Sequence, residues 1–182
     1  MVSIDTPEHL VWRVFVRDVA DLRPWTGVDV PPLVPCVPTR ECLPPAARSE
    51  ATAQWGSWWQ RELARHGRGE RGYAQPEAAL GDGQELEDLF LTYRLDALRW
   101  ASARKCEDTA PLRRGREGDV VRTVEGEIGR KARPFLLTVT ELPVAGPFGL
   151  RASPRHVVVS RTLRDAPAAY ERWLTPVIRE LA

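Results

Sequence analysis

Residues 55 to 66, WGSWWQRELARH, put three tryptophans into five positions and follow them with Glu62 and His66, four residues apart. A carboxylate and an imidazole one helical turn apart can share a proton, help hold a metal or orient a polar ligand. At about 100° per residue, with Trp55 at zero, Trp58 falls near −60°, Trp59 near +40°, Glu62 near −20° and His66 near +20°. Trp55, Trp58, Trp59, Glu62 and His66 therefore share one stripe, and Gly56, Ser57 and Gln60 point away from it. A stripe this regular either packs into a core or forms the wall of a binding groove. Glu62 sharpens the choice, because a carboxylate among indoles must be paired, protonated or open to water. His66 is the nearest candidate partner, with Arg65 or an arginine from another element as competitors. As an acid/base or metal pair the two residues lack a visible nucleophile, further ligand or oxyanion donor.

Other reactive groupings are weaker. Neither lysine follows a glycine, so there is no nucleotide-binding loop, and no GxGxxG, HExxH or GxSxG occurs. Cys36, Cys42 and Cys106 show none of the tight pairing of a zinc site. His156 and Ser160 share strand parity, but roughly 13 Å of backbone separates them. The arginines between 113 and 133 alternate with acidic residues and lack flanking aromatics, which disfavours nucleic acid. No cofactor is expected.

The elements that carry these groups follow from periodicity. Thr6, Pro7 and Glu8 read as a helix start, and Leu10, Val11, Val14, Phe15, Val19 and Leu22 recur at helical spacing, although the valines also permit a strand. Residues 24 to 46 hold seven prolines and predict an extended segment lying on the body. The tryptophan helix covers about 47 to 66, and 67 to 83 reads as a mobile loop. A long helix from about 84 to 105 has one stripe through Leu86, Leu89, Phe90, Tyr93 and Ala97 and a second through Leu91, Leu95 and Leu98. Apolar on two sides, it is expected to be central and covered on both. Residues 118 to 131 suit a short helix or an edge strand. FLLTVTEL (135 to 142) and RHVVVSR (155 to 161) predict an antiparallel pair with a long connection. Asp165 reads as the cap of a last helix that Pro176 kinks or restarts, with Thr175 as a new cap.

The class predicted is α+β: a single helix-rich domain over 1–182 with a long central helix and a small antiparallel sheet of C-terminal strands. The chain has 182 residues, 43% of them hydrophobic, a net charge of +1 and no apolar run of membrane-spanning length. Only Lys105 and Lys131 are lysine among 26 basic residues and asparagine is absent, a pattern of genomic base composition rather than of function. The odd cysteine count and the N-terminus, which lacks a basic, cleavable leader, suit the cytoplasm. These features predict a non-catalytic cytoplasmic interaction or accessory protein that binds another protein through the aromatic/Arg helix face. The alternative is a small-ligand binder or enzyme with a Trp-walled pocket using Glu62 and His66.

Overall fold

The structure, a computed structural model, describes residues 1–23, 29–40, 43–68, 84–107 and 116–182. The chain is helix-rich α+β and divides into two compact units, Met1–Thr6 with Ala110–Ala182, and Pro7–Thr109. Among the described residues no helix is long and apolar enough to cross a membrane.

Among the described residues the second unit holds three helices: α1 (Glu8–Val19), α2 (Pro45–Gly67) and α3 (Gln84–Glu107). Helical period prevails over the β propensity of the valines in α1, which starts after Pro7 rather than at a Thr6 cap. α1 is buried almost all round, because α2 and α3 both pack against it. α3 contacts both other helices, and Leu86, Leu89, Phe90, Tyr93 and Ala97 make its buried face. The expected second covered face is not there: Leu91 is 49% and Leu95 64% exposed. Among the described residues the helix packs on one side, which leaves Leu91 and Leu95 of its second stripe exposed.

Residues 29–40 run without helix and are tied to α1. The guanidinium of Arg17 donates to the carbonyls of Val30 and Pro31, and Asp18 accepts from the Leu33 amide at 2.7 Å. Val30, Leu33 and Val37 are buried beneath this clamp. The expected loop at 67–83 lies, from residue 69 onward, outside the described residues; Gly67 ends α2.

The first unit is a four-stranded sheet, β1 (Val2–Asp5), β2 (Leu137–Leu142), β3 (Gly149–Ser153) and β4 (His156–Ser160), in the order β1-β2-β4-β3. It also contains α4 (Arg116–Ile128), α5 (Arg161–Arg164) and α6 (Pro167–Leu181). β2 and β4 pair parallel, contrary to the antiparallel pairing expected of them. The reason is β3, which lies in the Gly/Pro-rich connection, reverses the chain and forms the antiparallel pair with β4 instead. β1, unforeseen in the sequence, adds parallel to β2 as an edge strand.

Strand alternation directs Leu137, Val139, Val157 and Val159 to one face. There they meet Val120 and Val124 of α4 and Tyr170, Leu174, Val177 and Ile178 of α6 in one core. A Cβ on Gly149 would lie 2.5 Å from the Trp173 ring, so glycine is what allows α6 to press on β3. α6 runs through Pro176 without restarting. The Thr175 hydroxyl donates back to the Glu171 carbonyl rather than capping a new helix. Asp165 closes α5 rather than opening α6.

Candidate functional site

Every residue of the tryptophan stripe is buried inside the second unit. Trp55 is 1% exposed, Trp58 and Trp59 0%, Glu62 4% and His66 6%. Trp55 and Trp59 stack at 5.4 Å, and Trp58 meets Phe90 of α3 edge-on at 5.9 Å. The Trp55 indole N–H donates to the Arg13 carbonyl at 2.8 Å, while those of Trp58 and Trp59 find no hydrogen-bond partner among the described residues. The stripe faces inward, so the expected docking face is not at the surface.

Glu62 takes its partner from another helix. Arg13 of α1 reaches it at 3.2 Å, with Arg65 at 3.0 Å on the other carboxylate oxygen. The Arg13 guanidinium also lies 4.1 Å from the Trp58 ring centre and donates to the His9 carbonyl at 2.6 Å. Burial pulls Arg13 down from its ordinary value to about 10; Glu62 opposes that shift and Arg65 adds to it. The group stays charged at neutral pH. His66 packs its ring against His9 at 5.5 Å. Carboxylate and guanidinium form a buried ion pair packed on the Trp58 ring.

His156 and Ser160 are likewise occupied in the sheet. His156 Nε2 lies 3.0 Å from the Thr140 hydroxyl, which donates to Asp5 at 2.8 Å, tying β1, β2 and β4 together. The Ser160 hydroxyl caps α5 by accepting from Leu163. Among the described residues, no three His, Cys, Asp or Glu side chains converge on a metal position.

The open site lies elsewhere, between α4 and β1 in the first unit. A cavity of about 760 Å³ is lined by Val2 and Ile4 of β1, by Gly118, Val121, Arg122 and Glu125 of α4 and by Ala132–Phe135, with Glu117 and Arg164 also on its wall. The amide of Leu137 donates to the Met1 carbonyl, and Val2 and Ile4 stand level with Leu137 and Val139. In a parallel ladder of that register the backbone groups of Ser3 and Asp5 turn to β2. Those of Val2 and Ile4 turn outward, along an edge with no further strand among the described residues.

Charged groups hold the rim in place. Glu117 is 3% exposed and accepts from the Tyr170 hydroxyl at 3.0 Å and from Arg164 at 3.3 Å. Arg164 also reaches Glu141 at 2.5 Å, and Arg161 completes that carboxylate at 3.1 Å. Burial, and then the negative charge of Glu117, raise Tyr170 well above the usual phenol range, so its proton stays on as donor. Its stabilising effect is complete below the ordinary phenol value and is lost as pH rises from there towards the folded-state value. Tyr170→Phe is expected to cost about 1–3 kcal/mol, by leaving a buried carboxylate short of a donor. It should also remove one late-titrating phenol from an ultraviolet pH titration; an unchanged titration would count against this contact.

Sequence reasoning missed this site because its walls come from four separated stretches. The single local signal was the apolar alternation of Val2 and Ile4 ahead of Pro7. No family model, curated protein or solved structure matches the chain, so the reading of the site rests on its own geometry.

Proposed function

We propose that the chain is a non-catalytic, cytoplasmic protein-binding module that takes an extended segment of another protein into the groove between α4 and β1. The observation that carries this reading is a sheet edge with outward backbone groups, set over an apolar floor of Val2, Ile4, Val121 and Phe135. An incoming strand gains main-chain hydrogen bonds from such an edge, and alternate side chains gain burial beneath the helix. An unpaired edge is otherwise a liability that proteins cover or charge. The sequence-based expectation of a protein partner is kept here, but its surface moves from the tryptophan helix to the groove. Nucleic acid fits poorly, since Phe135 is the one aromatic ring among the described wall residues and a run of bases needs several to stack on.

The test is selection of linear peptides from a randomised display library, followed by amide chemical-shift mapping on the protein. Selected peptides are expected to shift Val2, Ile4 and Val121. Val2→Pro removes one outward N–H at the first residue of the strand, where proline is tolerated, and is expected to weaken binding at least tenfold without unfolding the sheet. Failure to select any linear peptide, or shifts confined to another surface, would overturn the proposal. A second reading, a small apolar ligand in the same cavity, is favoured by the volume, which lies within the range of ligand pockets.

A further inference from the structure

We infer that the segment received by this groove is acidic, an extended strand with apolar residues at alternate positions and a carboxylate set against Arg133. The inference rests on the groove reading above and adds the charge of the occupant.

Both carboxylates on the wall already hold a cation. Glu117 holds Arg164 and the Tyr170 hydroxyl. Glu125 accepts from Lys131 at 2.9 Å and from the Ala132 amide at 3.0 Å, and these bonds hold it below the usual carboxylate range. A cationic ligand would have to share these carboxylates with Arg164 and Lys131, which already neutralise them. The cations differ. Arg164 is divided between Glu117 and Glu141, and Arg122 pairs with Asp119 on the exposed side of its own helix. Arg133 is exposed, and its guanidinium has neither an ion pair nor a hydrogen bond among the described residues. Its backbone is fixed, since its amide donates to the Ala182 carbonyl at 3.2 Å.

Arg133 is therefore a held, unspent fork of donors at the end of the groove where Phe135 and Val2 supply apolar surface. A guanidinium in that state recognises a carboxylate in two-point geometry. Alternation in the occupant follows from strand geometry: every second side chain faces the floor of Val2, Ile4 and Val121, and those between face out. The polar end belongs beside Arg133.

The probes are short fluorescein-labelled peptides of alternating valine and threonine ending in two glutamates, and the same peptides ending in glutamine or lysine. Anisotropy titrations against the whole protein should show the glutamate form binding about tenfold more tightly than the glutamine form, the scale of one charge-assisted pair at a partly exposed position. The lysine form should be weakest, and the glutamate advantage should shrink with added salt. Arg133→Ala is expected to erase the difference between the glutamate and glutamine forms. Arg133→Glu should turn the preference towards lysine. Equal binding of all three forms would overturn the acidic assignment and leave the groove reading standing. Absence of binding by every form at millimolar peptide would overturn both. Binding to phosphatidylserine vesicles with no response to any peptide would overturn both as well, since the arginine would then serve a membrane surface.

Discussion

Trp58→Ala is expected to lower the unfolding free energy by about 3–5 kcal/mol, read from urea denaturation. The ring is fully buried, with the Arg13 guanidinium over one face and the Phe90 edge against it. Truncation leaves a cavity that three helices border, and the helices cannot all close on it. Trp59→Ala should cost a similar amount, because the ring stacks on Trp55 and is equally buried. Total stability of an ordinary domain is about 5–15 kcal/mol, so the double substitution is expected to leave the helical unit unfolded at room temperature. Trp58→Phe is the informative control. It loses volume but no hydrogen bond, since the Trp58 indole N–H has no partner among the described residues, and it should cost well under the alanine value. A double alanine variant that melts like the parent would show that these rings lie at a surface, as a docking role for the stripe requires.

The stripe shows where sequence reasoning reaches its limit. The angular positions of Trp55, Trp58, Trp59, Glu62 and His66 follow from helical period alone, and all five do fall on one face. Period says which residues share a face; it does not say what that face meets. The same gap appears on α3, where the two leucine stripes look alike in sequence yet one is buried and the other exposed. Helices are legible because their periodicity is local, although the caps read at Thr6 and Asp165 are not the ones used. The parallel order of β1, β2 and β4 is not, because it depends on β3, whose GLRAS sequence has a glycine, an arginine and weak alternation. β1 is four residues long and abuts a helix start, so its pattern is too short to separate from that of α1. The groove combines both difficulties: it needs the unforeseen strand and a helix more than a hundred residues away in sequence. Arg13 is likewise invisible as the partner of Glu62, since the contact spans α1 and α2. The physical requirement that Glu62 be paired is readable; the identity of the partner is not.

That pair carries the second large effect. Glu62→Gln keeps the shape of the side chain and removes its charge, leaving Arg13 buried at 3% exposure without a counter-ion. Breaking a buried ion pair from one side typically costs about 3–5 kcal/mol, much of it the penalty of the charge left behind. The cation–π contact with Trp58 and the bond to the His9 carbonyl survive and soften the loss, which places the expected value at the lower end of that range. Arg65 is 27% exposed and reaches water when Glu62 is neutral, so it adds little. In the parent protein the cost of keeping Arg13 charged persists at pH below about 10 and is relieved as pH climbs from there towards the unfolded value; without Glu62, whose charge raises the group, that relief begins lower. Replacing both partners separates this account from simple packing loss. Arg13→Met with Glu62→Gln removes the stranded charge and should recover a large part of the stability lost by Glu62→Gln alone. Additive losses in that double-mutant cycle would mean that the two side chains do not interact across the helices. Strong recovery would mean that Glu62, placed among three tryptophans, serves to neutralise an arginine that the fold has buried, and that its chemistry ends there.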